Sequence, residues 1–198
     1  MTESFIKRYN VSKKQVVVLP FYPNINVAFT VKTEKTHDSF VYVSNGSPHK
    51  NHVRLLRAFK TFYNIHKRGA LHLTLSKGSS EELMAELEDS TAKGYPINNH
   101  GFVEREKLAE LYMNNTFTIY PSLSESFGLG IMEAIDCGCQ VIGADLPYMH
   151  AVCEPSIVFD PLSEDSMLAA LEKAVFGKFE PSKLIVKNQI NDLIELLK

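Results

Sequence analysis

The chain has 198 residues, 44% apolar and 22% charged, with a formal net charge of −2, which suits one globular domain of typical to large size with a real core. No basic block supplies neutralisation for a nucleic-acid backbone, no apolar run approaches the ~18 residues of a membrane span, and Met1 to Asn10 lacks the apolar centre of a signal peptide. Three cysteines, two of them in Cys137-Gly138-Cys139, are an odd number; they read as buried reduced thiols rather than a disulfide or metal set, and the expected compartment is the cytoplasm.

Ser4 to Asn10 is a short amphipathic or irregular lead, and Gln15 to Leu19 is an apolar β-rich run stopped by Pro20 and Pro23. Val27 to Asp38 is polar and weakly patterned, as in a loop or irregular edge. Ser39 to Ser44 reads as a buried strand. After it, His52 to His66 carries Val53, Leu55, Leu56, Phe59 and Phe62 near the 3.6 period and predicts a helix. Ala70 to Ser76 stays apolar, as a central parallel strand does. Ser80 then caps a helix with an acidic first turn of Glu81 and Glu82, broken at Gly94-Tyr95-Pro96.

Ile97 to Val103 is the next predicted strand and Glu104 to Met113 a short helix with Leu108 and Leu111 inward. Thr116 to Tyr120 (strand), Pro121 to Phe127 (loop), Gly128 to Cys137 (helix) and Gln140 to Ala144 (strand) make a parallel βαβ unit. Pro147 to Val152 is a turn of helix and Ile157 to Phe159 a short strand. Ser163 caps a helix to Phe176 with Leu168, Leu171 and Val175 inward, ended by Gly177. Lys183 to Leu197 reads as a last helix with Ile185, Ile190, Leu193 and Leu197 apolar. Strands alternating with helices from 39 to 176 predict an α/β, Rossmann-like doubly wound parallel sheet.

Such sheets bind ligands beyond the strand C-termini, where the next helix points its N-terminus at the ligand. Gly128 and Gly130 there are expected to let the backbone approach closely, with free N–H groups and the positive dipole end facing an anion such as a diphosphate. Glu125 precedes the helix, and Glu133 lies within it about 7.5 Å along the axis from Gly128. Carboxylates beside phosphate are tolerable where each accepts hydrogen bonds from sugar hydroxyls, and a nucleoside diphosphate sugar has a hydroxylated ring on either side of its diphosphate. On spacing alone, two glutamates eight residues apart are ordinary dipole partners.

The run Glu125-Ser-Phe-Gly-Leu-Gly-Ile-Met-Glu133, followed by Ala134 and Cys137-Gly-Cys-Gln-Val-Ile142, resembles the E-x7-E segment of GT-B glycosyltransferases. The likeness is to the large retaining family 4 (glycosyl transferases group 1), which includes many lipopolysaccharide and capsule enzymes and mannosyltransferases. Gln140 stands where that family usually has Pro, a change expected to matter little. Gly46-Ser-Pro-His-Lys-Asn51 with Leu55-Leu-Arg-Ala-Phe59 resembles its strand–loop–helix, putting Lys50 on the phosphate-binding lysine, where it would neutralise charge growing on the departing diphosphate. Many members carry Arg where this chain has Ser47, which removes a bidentate partner; His49 and Arg54 are the nearest substitutes. Without the resemblance, Lys50 reads as a solvated loop lysine.

The resemblance implies the C-terminal, donor-binding half of a GT-B enzyme. Residues 1–24 would be a lead and interdomain junction, 25–178 the nucleotide-sugar-binding domain and 179–198 a C-terminal helix. Glu125 would touch the transferred sugar, and Lys50 with Ser47 and the backbone of Phe127, Gly128, Leu129 and Gly130 would hold the diphosphate. Glu133 would hold the ribose, and Phe102 and Val103 would line the base, core packing being the other reading of Phe102. Transfer from a UDP-, GDP- or ADP-sugar to a sugar or lipid-linked acceptor would need no bound metal or other cofactor, and the acceptor domain would lie outside this chain. Two competing readings are a stand-alone nucleotide-sugar-binding or regulatory subunit and an isomerase or phosphorylase on the same half-fold. Neither a G-x-G-x-x-G after a strand nor a G-x-x-x-x-G-K-[ST] occurs, which sets aside nicotinamide enzymes and P-loop NTPases.

Overall fold

The computed structural model describes residues 2–17, 19–20, 35–76 and 78–198. The chain divides into two compact units, one of Asn24–Ile185 and one of Met1–Pro23 with Val186–Lys198.

In chain order the larger unit contains β1 (Thr36–Tyr42), α2 (His52–His66), β2 (Ala70–Leu73), α3 (Glu81–Ala92), β3 (Ile97–Asn99), α4 (Arg105–Met113) and β4 (Asn115–Tyr120). Then follow α5 (Leu129–Asp136), β5 (Gln140–Ala144), α6 (Pro147–Val152), β6 (Cys153–Glu154), β7 (Ile157–Phe159), α7 (Glu164–Phe176) and β8 (Lys183–Leu184). Six strands pair, all in parallel, in the order β3-β2-β1-β4-β5-β7, the α/β doubly wound sheet read from the sequence. The order reverses between β1 and β4, the place where such sheets open a crevice.

Side chains alternate across β1, and so do the two halves of the core. Phe40 meets Phe59 and Phe62 of α2 at ring-centroid distances of 6.2 and 6.1 Å, and α2 packs in turn on α3 and α7. Val41 belongs to a cluster with Ala109 and Tyr112 of α4 and Ala134 and Cys137 around α5. The predicted caps form, with Ser80 accepting from the Leu83 N–H at 3.4 Å and Ser163 from the Ser166 N–H at 3.1 Å. All three cysteines are free and buried; burial pushes the thiols up, to about 11 for Cys137 and about 12 for Cys139 and Cys153.

The structure corrects several sequence expectations. β1 starts at Thr36, inside the stretch read as a loop, because a register shift with Asp38 at φ 55° lets Thr36 pair with Asn115; residues 27–34 of that stretch lie outside the described residues. β2 and β3 are shorter than expected, ending at Leu73 and Asn99. On α7 the buried face is Met167, Ala170, Leu171 and Ala174, with Leu168 and Val175 half-buried beside it. No long helix runs from Lys183 to Leu197: β8 pairs antiparallel with β6, and the Ile185 N–H donates to the Val152 carbonyl at 2.9 Å. The cause includes Gln140, whose Oε1 accepts from Ser156 Oγ at 3.0 Å and the Ser182 N–H at 2.9 Å. A proline side chain could accept neither bond.

The smaller unit holds α1 (Thr2–Tyr9), a single 3₁₀ turn at Lys13–Gln15 and α8 (Ile190–Leu196). Val16, Val17, Leu19 and Pro20 form no strand, contrary to the reading of Gln15 to Leu19, with Val18, Pro23 and Asn24 outside the described residues. No helix among the described residues is long and apolar enough to cross a membrane.

Just before β1, Lys35 points its ammonium at three carbonyls, those of Tyr112 (3.2 Å), Asn115 (2.8 Å) and Cys137 (3.2 Å). These lie at the C-terminal ends of α4 and α5, where the dipoles favour a cation and carbonyls lack helical partners. Lys35→Met should therefore lower the unfolding free energy by about 1–3 kcal/mol, read as a fall in the urea midpoint at constant slope; an unchanged midpoint refutes that role.

Candidate functional site

Two loops rise from the reversal point, residues 43–51 after β1 and 121–128 after β4. In the first, Pro48–Lys50 makes one 3₁₀ turn, and Asn51 at φ 61° swings the chain into α2. Asparagine tolerates this left-handed geometry better than most residues. Its buried amide donates to the carbonyls of Pro121 (3.1 Å) and Pro161 (2.7 Å), and its oxygen accepts from Arg54 at 2.9 Å. One side chain thereby ties the loops after β1, β4 and β7, helped by the Leu123 N–H donating to the His49 carbonyl at 2.8 Å. Arg54 is thus engaged in holding Asn51, and of the two substitutes named for the missing arginine His49 alone stands exposed.

The structure brings Lys50 and Glu125 together. Lys50 Nζ donates to Glu125 Oε1 at 2.7 Å and Oε2 at 2.8 Å, and the side chains are only 14% and 10% exposed. Ser122 Oγ donates to Glu125 Oε1 at 2.6 Å. That commits the serine proton, so the Tyr42 phenol, 2.6 Å from Ser122 Oγ and 3.1 Å from the Lys50 carbonyl, donates to one or the other. Tyr148 fixes the Ser122 carbonyl from α6 at 2.8 Å. Beneath Tyr42, His52 is pushed down to about 3 by burial, with the charge of Lys50 adding to it, and stays neutral. Lys50 is therefore neither solvated nor free, and an arriving anion must compete with Glu125 for it.

Gly128 sits at φ 76° as the N-cap of α5, and no side chain caps the helix among the described residues, so its first N–H groups lack helical partners. Phe127 is partly exposed and Leu129 half-buried. Gly130 also has a reason in the interior, besides the expected approach of a ligand. A Cβ there would meet the Tyr120 hydroxyl at 2.0 Å and the Tyr112 hydroxyl at 3.2 Å, both on buried rings, so the interior demands the glycine.

Glu133 lies further along α5, its side chain 7% exposed, with Oε1 3.0 Å from Arg105 Nη2 at the start of α4. Oε1 makes no hydrogen bond among the described residues, so Arg105 acts on it through charge. Burial raises the Glu133 carboxyl above the usual range, Arg105 opposes this, and Asp136 adds to it. In the loop before α4, Phe102 is 77% exposed, which removes the core-packing reading. With the half-buried Val103, His100 and Lys107 it lines a cleft of about 390 Å³. Ser47 borders a separate cleft of about 450 Å³ with Arg54, Arg57 and Ser80; its N–H donates to Asn45 Oδ1 at 3.1 Å.

Sequence reasoning gave no role to Asn51, Ser122, Tyr42 and Arg105. Asn51 closes the Gly46–Asn51 motif and Ser122 lies three residues before Glu125, so both stood within reach of the signal. Arg105, within Glu104-Arg105-Glu106-Lys107, looks like any solvated helix start.

Residues 26–190 match the family model described as glycosyl transferases group 1. The chain is 31% identical over 132 residues to O-antigen chain mannosyltransferase B of Escherichia coli, covering 65% of this chain and 34% of that protein. It is 24% identical over 179 residues to O-antigen chain mannosyltransferase RfbU of Salmonella typhimurium, covering 86% and 47%. It therefore spans about a third to a half of these curated relatives. Among solved structures, a mutant of S. aureus TarM in complex with fondaparinux, α-GlcNAc-glycerol and UDP superposes with TM-score 0.69 at 13% identity, over 88% of this chain and 35% of that one. The UDP-forming α,α-trehalose-phosphate synthase of Burkholderia vietnamiensis gives TM-score 0.63 at 13% identity, over 71% and 35%. At that identity the likeness is one of fold.

The interior reason for Gly130 is directly testable. Gly130→Ala should cost about 1–3 kcal/mol through overpacking, and Tyr120→Phe, which removes the obstructing hydroxyl, should recover much of it in the double variant. A double variant no more stable than Gly130→Ala would show that the tyrosine is not the obstacle.

Proposed function

Since the chain belongs to the glycosyl transferases group 1 family and folds as the Rossmann-like C-terminal domain of a GT-B glycosyltransferase, we propose that it binds the nucleoside diphosphate sugar donor of a retaining hexosyltransferase. The observation that carries this reading is the Lys50–Glu125 pair, held nearly out of solvent beside the uncapped start of α5. A cation and an anion at this spacing suit a ligand with a diphosphate next to a hydroxylated ring. On binding, Lys50 exchanges the carboxylate for a phosphate oxygen, and the first N–H groups of α5 with the backbone of Phe127 to Gly130 take the rest of the diphosphate. Glu125, released from Lys50 but still held by Ser122, accepts hydrogen bonds from the sugar hydroxyls. Glu133 holds the ribose, Phe102 and Val103 form the wall for the base, and Ser47 borders the phosphate side.

Charge grows on the leaving diphosphate as the glycosidic bond breaks, so Lys50 and the helix end assist departure more than ground-state binding. The acceptor hydroxyl attacks from the face the diphosphate leaves, with a diphosphate oxygen taking its proton. The acceptor side belongs to a domain beyond residues 25–178, with residues 1–24 as the junction. Both relatives named above are mannosyltransferases of O-antigen chains, which puts mannose first among the sugars and a sugar or lipid-linked acceptor in polysaccharide synthesis first among the acceptors. Buried free thiols fit a cytoplasmic place of action.

Thermal unfolding with UDP-, GDP- and ADP-sugars tests the reading. A ligand at 100 times its Kd adds about 2.7 kcal/mol of stability, and no shift with any donor rejects it. The exchange of partners at Lys50 has its own signature. Glu125→Ala frees the ammonium, so the bare nucleoside diphosphate should bind as tightly as before or tighter, while preference for the sugar-bearing form disappears. Equal weakening of both forms contradicts the roles assigned to the pair.

A further inference from the structure

We propose that Arg105 is a positioning residue for the nucleotide: its guanidinium holds the Glu133 carboxylate charged and aimed for the ribose hydroxyls. This rests on the donor reading above and names a residue that no part of that reading uses.

Arg105 is the first residue of α4, where the positive end of the helix dipole repels a cation. The preceding Glu104 makes no side-chain capping bond. The guanidinium meets a carboxylate from another helix, with Glu133 Oε1 at 3.0 Å from Nη2. From the side of Glu133 the need is equally plain. A carboxylate only 7% exposed is costly to keep ionised without a cation. The groups acting on it are Arg105 and the Tyr112 phenol from α4, and Asp136 and Cys137 on its own helix. Of these Arg105 alone is positive.

The geometry leaves Glu133 able to work. Oε1 is buried beside the guanidinium, so with that oxygen held by charge it is the other carboxylate oxygen that would meet ribose hydroxyls. Arg105 is 43% exposed and follows Phe102 by three residues and Val103 by two, so the loop proposed for the base and the group that steadies the ribose acid are one piece of chain. A protonated Glu133 would lose acceptor sites, and burial drives it in that direction while Arg105 opposes it.

The experiment compares UDP, GDP and ADP with their 2′-deoxy forms, by isothermal titration between pH 5.5 and 8, in the unaltered chain and in Arg105→Ala, Arg105→Gln, Arg105→Lys and Glu133→Gln. For the base that binds, the unaltered chain should prefer the ribose form by about tenfold, the worth of one hydrogen bond to a charged group. The preference should fall as pH drops and Glu133 protonates. Removing Arg105 should shrink it toward one at neutral pH and move the remaining pH dependence upward, since the carboxyl then protonates earlier, and Arg105→Lys should restore much of it. Two neutral variants guard against one that fails to fold, with thermal unfolding as the control. If both neutral variants keep the ribose preference and its pH midpoint, the proposal is overturned, and a loss of affinity equal for ribose and deoxyribose forms would mark Arg105 as a phosphate contact instead. If Glu133→Gln itself leaves the preference intact, the assignment of Glu133 to the ribose falls, and this proposal with it.

Discussion

An ammonium and a carboxylate that have both left water must find each other, and at the reversal point of this sheet Lys50 and Glu125 do so with two contacts under 3 Å. Taking either charge so far out of solvent is costly without a partner. The surroundings serve that contact: Ser122 steadies one carboxylate oxygen, Tyr42 reaches both Ser122 and the Lys50 carbonyl, and Asn51 fastens the loop of the lysine to the loop of the glutamate. The site is therefore arranged but self-neutralised.

The second acid follows the same physics with another partner. Glu133 is drawn inward by the apolar packing of α5, whose Ile131, Met132 and Ala134 are buried, and its charge is met by Arg105 from α4. The two glutamates of one motif thus carry different counter-ions on different elements. One counter-ion follows the strand at the centre of the sheet and the other follows the edge strand. Each end of a bound donor would meet its own ion pair.

The inward face of β4 and α5 shows how the interior shapes this corner. Tyr120 and Tyr112 place their hydroxyls where a side chain at position 130 would stand, so a glycine that looks made for a ligand is required by the protein's own packing. Gln140 makes the opposite point. A position that appeared indifferent holds Ser156 and Ser182, and with them the segment that became β8 rather than the start of a helix.

Local pattern was enough for α2, whose bounds agree to the residue, for the two serine caps, for β5, α6 and β7, and for the parallel order implied by alternating strands and helices. These depend on periodicity and capping, which act over a few residues and are written in neighbouring letters. The residues from Glu125 to Glu133 stood out through their resemblance to the family's segment, since two acids at that spacing are ordinary by themselves. Long-range pairings decided the rest: Lys50 with Glu125 across 75 positions, Asn51 with Pro161 across 110, and Arg105 with Glu133 from separate helices. Which charge neutralises which is settled by the distances that folding creates, and a linear sequence carries no record of those until the sheet has brought its loops together.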